Sequence, residues 1–160
     1  MIGLWYEELE IGRVIKLGVH EFSADAIQRF SSSFVPVGFH MDAAQAGKGL
    51  FGKTAAAGIH TCSGWMRSFV ANNTTERQRL ATTGKVLPEI GPSPGLQNIR
   101  WPNPVFVGDE IHYRAEITSK RELGSKPAWG LVTLLCEGHN SNGTLVVSFE
   151  SKVLVQRRRD

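Results

Sequence analysis

Between Thr54 and about Asn72 the side chains Ala55, Ile59, Cys62, Met66 and Phe69 recur at steps of four and three, the spacing of one face of a helix. Trp65 and Val70 widen that stripe, while Ser63, Arg67 and Ser68 lie away from its centre. After this stretch the period changes to two. Ile111, Tyr113, Ala115 and Ile117 alternate with Glu110, His112, Arg114 and Glu116. Further on, Leu145, Val147, Phe149, Val153 and Val155 share one side of another alternating run. The segment "AWGLVTLLCE" between them is apolar on both faces, as a strand in the middle of a sheet would be. Asn142-Gly143 supplies a hairpin turn. Together with "GLQNIRW" this makes about five antiparallel strands and one helix long enough to cover them. The predicted architecture is α+β: a curved antiparallel β-sheet wrapped around one long central helix.

Smaller elements fit around that pair of layers. Arg13 to Phe22 reads as a strand, and Ser23 as the N-cap of a short helix over 24–32, with Asp25 well placed against its dipole. Asp42 can cap a second short helix ending near Gly49. "NNTT" is expected to end the long helix, and 76–94, without a clear period, to form a long excursion. No internal repeat is visible, and residues 1–160 are expected to form a single domain.

Composition narrows the function classes. The chain is 41% apolar and 21% charged, with a formal net charge of +3 that is largely concentrated in Arg157, Arg158 and Arg159. Those arginines could attract phosphates, but a solvated tail is the expectation. A nucleic-acid partner is not expected, because no basic stripe with interleaved aromatics is present. "MIGLWYEELE" has three glutamates and no basic residue, unlike a signal peptide. No apolar run reaches the roughly 20 residues that span a bilayer. Cys62 and Cys136 sit in apolar surroundings as expected buried thiols. The expected location is cytoplasmic.

"GKGLFGKT", from Gly47 to Thr54, satisfies the P-loop pattern G-x-x-x-x-G-K-[ST]. A phosphate cradle also needs a buried strand running into the loop, so that backbone N–H groups and a helix N-terminus converge on the anion. The preceding "HMDAAQA" is polar and helical, and the later strands read as antiparallel. A nucleotide site is therefore the last-ranked reading.

The segments "GFHMDAAQA", "LFGKTAAAGIHTCSGWMRSFV", "RWPNPVFVGDEIHYRAEITSKREL" and "SKPAWGLVTLLCEGHNSNGTLVVSFESKVLV" fit another pattern. Their most specific parts are "FH-x-D", "FG-x-x-x-A-x-G-x-HT" and the Pro-x-x-x-Gly-Asp turn from Pro104 to Asp109. Over 22–157 the chain resembles the MaoC-like acyl dehydratases, hotdog-fold proteins similar to (R)-specific enoyl-CoA hydratases. The resemblance implies a hydro-lyase acting on an acyl thioester carried by coenzyme A or an acyl-carrier protein. It also implies a homodimer or a dimer of dimers, with no cofactor and no metal. In the family an Asp and a His hold the water that adds to the double bond. The histidine falls on His40, whereas the aspartate position falls on Val35, followed by Pro36 as in the family's Asp-Pro. Gly58 corresponds to the oxyanion-binding glycine, and Gly52, Ala57 and Ile59 are the implied substrate-binding positions.

Hydration of an enoyl thioester needs a base for water, an acid for the α-carbon and donors for the enolate-like oxygen. A histidine can act as base and acid in turn, and a backbone N–H at a side-chain-free helix start can be the donor. Gly58 could equally serve close packing, and His40 could be a local loop histidine. Ser31 to Ser33 lie nearby, but hydroxyls are poor bases. His60 is expected to be structural, satisfied by a carbonyl or water; Asp42 is expected to be a cap. The "SKP" loop at 125–127 could meet a ligand or partner. With Val35 in the aspartate position, reduced activity and a non-catalytic acyl-CoA-binding subunit both remain open. A hotdog thioesterase ranks lower, because 55–70 holds no carboxylate.

Overall fold

The computed structural model describes residues 3–158. The strands are β1 (Val14–Glu21), β2 (Gly95–Arg100), β3 (Glu110–Glu122), β4 (Trp129–Asn140) and β5 (Leu145–Gln156). They form one antiparallel sheet in the order β1-β3-β4-β5-β2. β4, the segment apolar on both faces, is the middle strand. Between β1 and β2 lie α1 (Ala24–Phe34), α2 (Gly38–Met41), α3 (Ala43–Gly47) and the long α4 (Gly58–Ala81). The sheet curves around α4, which packs against β1, β3, β4 and β5. The expected layers and strand directions are those observed.

The alternating residues deliver the core. Ile111, Tyr113, Ala115 and Ile117 are all buried, as are Val147, Phe149, Val153 and Val155. Trp65 carries the contact between the layers. Its indole is buried, stacks on Phe69 with centroids 4.9 Å apart, and meets the edge of Phe149 at 5.2 Å. Its Nε1–H donates to the Arg114 carbonyl at 2.9 Å. Tyr113 adds a second tie, its hydroxyl donating to the Thr61 carbonyl at 2.8 Å. A buried indole and phenol each need such a partner, and here each partner lies on the opposite layer.

The long helix differs from its expected limits at both ends. It starts at Gly58 rather than Thr54, because Ala55 is drawn into a bridge with Phe106 and Ala56 N–H donates to the Val105 carbonyl at 2.8 Å. It continues past "NNTT" to Ala81. Asn73 does not break it: the side chain is buried and donates to the Phe69 carbonyl one turn back at 3.1 Å. Leu80 is buried, and Arg77 Nη1 donates to the Pro88 carbonyl at 2.7 Å, so the last turns are held by the segment that follows. Only the remainder of the expected excursion is irregular, and it is tied to β5 through Gly91 N–H and the Leu154 carbonyl at 2.8 Å.

The apolar stripe is also rotated. Cys62 and Trp65 face the sheet, but Ile59, Met66 and Val70 are 45%, 40% and 55% exposed. Thr61, Gly64 and Asn73 take buried places that apolar periodicity did not assign. Gly64 has a steric reason: a Cβ there would come 2.7 Å from the Tyr113 hydroxyl.

The caps at Ser23 and Asp42 form as expected. Ser23 Oγ accepts from Ala26 N–H, and Asp42 Oδ1 accepts from Ala44 and Gln45 N–H at 2.7 and 3.2 Å. The arginine tail is not solvated in the expected way. Arg157 pairs with Glu7 and Glu122, and Arg158 with Glu8; their guanidinium groups lie over Tyr6 and Trp5. Arg159 lies outside the described residues. Cys62 and Cys136 are free and buried. Among the described residues no helix is long and apolar enough to cross a membrane.

His60 is structural, but not in the way its polarity suggests. It is buried, stacks on Phe30 at 4.2 Å, meets Phe22 edge-on at 4.9 Å, and its Nδ1 has no hydrogen-bond partner among the described residues. Burial, and secondarily His20, push its pKa down to about 4. The unfolded chain binds that proton near pH 6.5, so stability is complete above that value and falls as pH drops toward 4. At about 1.4 kcal/mol per pH unit the loss approaches about 3 kcal/mol. His60→Phe should keep the ring stack and remove this contribution. Urea midpoints measured from pH 7 to 4.5 should fall less for the variant than for the natural protein.

Candidate active site

The Pro104–Asp109 turn positions the site. Asp109 Oδ2 accepts Phe106 N–H at 2.8 Å, and Phe22 exchanges backbone bonds with Gly108 and Asp109, both at 2.9 Å. Gly108 adopts φ +87°, a left-handed conformation suited to glycine. With Val105 and Phe106 thus fixed, the Ala55–Phe106 bridge fixes the approach to α4.

His40 takes its orientation from that approach. Its Nδ1 lies 2.7 Å from the Ala55 carbonyl, from a place on α2. A carbonyl only accepts, so Nδ1 carries the hydrogen and Nε2 is left with the lone pair in the neutral ring. Phe39 packs against the imidazole at 4.2 Å. Gly58 is the first residue of α4; the N-cap Ala57 provides no side-chain bond and the first turn has no acidic residue. The first N–H groups of a helix have no partner within it, and its dipole makes them attractive to negative charge.

His40 and Gly58 line one cavity of about 280 Å³. The turn and β5 contribute Val105 and Val146, and Phe51 and Ala56 close other sides. Trp101 and Asn103 enter from the loop after β2. Among the described residues no carboxylate lines this space. Gly52, exposed at φ +67°, buried Ala57 and exposed Ile59 are not among the lining residues, and neither is Val35, half-buried at the C-cap of α1. Of the serines near the loop, Ser31 is buried with its hydroxyl unpartnered among the described residues, and Ser32 bonds the Arg29 carbonyl. Asp42 is a cap. No group of three or more metal-ligating side chains occurs among the described residues. The P-loop letters have no strand before them, and Lys53 Nζ lies 3.8 Å from the Phe106 ring centroid.

Trp101 is among the lining residues that sequence patterning missed, with Phe51, Val105 and Val146. A Cβ on Gly58 would lie 2.6 to 2.9 Å from three indole atoms. The small residue at 58 therefore makes room for the ring as well as exposing the helix terminus. Burial raises the pKa of the Cys62 thiol, and the neighbouring indole offsets part of that rise. Pro102 and Pro104 flank a loop whose Asn103 amide donates to the Leu145 carbonyl at 2.8 Å. An aromatic next to prolines is a usable signal for a rigid wall, although nothing local assigns it to Gly58.

No protein-family model matches the chain, and no curated protein matches it. Solved structures match along almost its whole length. A MaoC-like dehydratase from Rhodospirillum rubrum is 30% identical and superposes with a TM-score of 0.80 over 99% of this chain and 100% of its own. A monoamine oxidase regulatory protein from Archaeoglobus is 25% identical, with a TM-score of 0.75 over 98% and 97% of the two chains. An (R)-hydratase from Pseudomonas aeruginosa, 21% identical, shares the fold with a TM-score of 0.70 over 98% and 88%. The five-stranded sheet around one helix is their hotdog fold. The chain belongs to the MaoC-like dehydratase family.

The Gly58–Trp101 contact can be tested as a pair. Gly58→Ala should destabilise the protein by about 1–3 kcal/mol through overpacking against the indole. In a Trp101→Ala background the same change should be close to neutral. Denaturant unfolding of the four proteins gives the coupling directly.

Proposed function

We propose that this protein binds an acyl thioester in the His40–Gly58 cavity and acts on it as an attenuated hydratase or dehydratase. The carrier is coenzyme A or an acyl-carrier protein. The observation that carries the reading is the joint lining of one mostly apolar cavity by a tautomer-fixed imidazole and an uncapped helix start. The thioester carbonyl approaches the Gly58 amide, and the acyl chain lies against Val105, Val146 and Trp101. A cavity near 280 Å³ is just below the roughly 300–1,000 Å³ of ligand sites, which favours a short chain.

The weak point of the hydratase is the water. His40 Nε2 can take its proton, but position 35 offers no carboxylate to hold it. Loss of a positioned acid or base removes about 10²–10⁴ in rate. The same absence favours a second reading, a non-catalytic acyl-thioester-binding subunit. A thioesterase has less support: the first carboxylate on α4 is Glu76, which pairs with Arg79.

With crotonyl-CoA, loss of enoyl absorbance should be slow for the natural protein. Val35→Asp should raise it about 10²-fold, and His40→Ala should abolish the gain, because the two groups act as a unit. Circular dichroism should accompany the assay, since a half-buried carboxylate costs stability. Binding of butyryl-CoA without turnover by any of these proteins would favour the non-catalytic subunit.

A homodimer belongs to the same proposal. Ile59, Met66 and Val70 leave an apolar stripe open on α4, and β2 is an edge strand with Leu96 38% exposed. Edges and stripes of this kind are covered by pairing, and a second copy presents both features. Met66→Glu with Val70→Glu should shift sedimentation from dimer to monomer at micromolar concentration.

A further inference from the structure

We infer that the cavity's own chemistry is a one-base proton shift, the interconversion of 3-enoyl and 2-enoyl thioesters. This rests on the acyl-thioester reading of the same cavity and extends it to a different reaction. Three observations converge. Among the described residues His40 is the one imidazole or carboxylate lining the cavity, and the Ala55 carbonyl confines its lone pair to Nε2. The start of α4 offers N–H groups and a positive dipole end without a competing side-chain cap. Phe51, Trp101, Val105 and Val146 make most of the walls apolar, and the polar lining side chains are not bases: the Thr61 hydroxyl donates to the Gly58 carbonyl at 2.6 Å and Asn103 donates an amide N–H to the Leu145 carbonyl at 2.8 Å.

Hydration requires water to be held and deprotonated at C3 while a proton reaches C2, a task for which a second acid–base group beside His40 is wanted. Allylic isomerisation requires neither water nor a second group. Nε2 removes a proton from C2 of the 3-enoyl thioester. The C2–H electron pair becomes a C1=C2 bond, and the carbonyl π pair moves onto oxygen, where the Gly58 amide stabilises the dienolate. The imidazolium then returns the proton to C4: the oxygen pair restores C1=O, the C1=C2 pair moves to C2=C3, and the C3=C4 pair binds the proton. Substrate and product are isomers, so no co-reactant is consumed. An apolar cavity favours this route because it holds the dienolate away from competing water.

Purified protein should convert trans-3-hexenoyl-CoA to the conjugated 2-enoyl thioester, seen as a rise in enoyl absorbance, faster than it hydrates crotonyl-CoA. In D₂O part of the C4 hydrogen of the product should derive from C2 of the substrate, the signature of one base carrying one proton. His40→Gln should lower isomerisation by about 10²-fold or more while calorimetry still detects butyryl-CoA binding. Val35→Asp should raise hydration without raising isomerisation. Butyryl-CoA binding with no conversion of trans-3-hexenoyl-CoA above the buffer rate overturns this inference and leaves the acyl-thioester reading standing. Absence of binding by either thioester overturns that reading, and this inference falls with it.

Discussion

The bridge between Ala55 and Phe106 is the contact on which the site depends. It is two residues of strand-like pairing, yet it converts the Pro104–Asp109 turn into a fixed platform for the cavity-lining His40 and Gly58. The Ala55 carbonyl sets the His40 ring, and the extended Ala55–Ala57 segment delays the helix until Gly58. Had α4 begun at Thr54, as apolar spacing suggests, the Ala55 carbonyl would enter the helical ladder instead of meeting an imidazole. The turn is itself anchored by Asp109 and by the Phe22 backbone. The site is therefore held by the sheet end through backbone bonds, with few side chains involved.

That construction explains how the frame persists without the family carboxylate. His40 is oriented by a carbonyl, and the candidate oxyanion donor is a backbone amide. Neither depends on the side chain at 35. Val35 caps α1 through its N–H to the Ser31 carbonyl at 2.9 Å, a role open to any residue with an amide hydrogen. The side chain at 35 can therefore change while the backbone frame stays in place.

Sheet and helix are also joined by specific polar bonds within an apolar core. Trp65 and Tyr113 each bury a large ring and spend their single donor on a carbonyl across the layers. His60 is different: it is wedged between Phe30 and Phe22 with Nδ1 unpartnered among the described residues. Its neutral state is part of the packing, which couples this region of the fold to pH.

Sequence by itself determined the strands of alternating residues, the central position of β4, the Ser23 and Asp42 caps and the hairpin at Asn142-Gly143. Each depends on local periodicity or on hydrogen bonds within a few residues, so the residues themselves carry the signal. Of the motif positions, His40 and Gly58 line one cavity and Val35 does not. Tertiary structure decided the rest. Apolar spacing gave α4 a face containing Ile59, Met66 and Val70, but the sheet takes Thr61, Gly64 and Asn73 instead, because small and internally bonded side chains permit close approach. The helix runs to Ala81 because Leu80 and Arg77 find partners outside their own segment. The meeting of Trp101 with Gly58 is likewise a matter of space: residues 43 positions apart in sequence become neighbours only when the end of β2 closes over the start of α4.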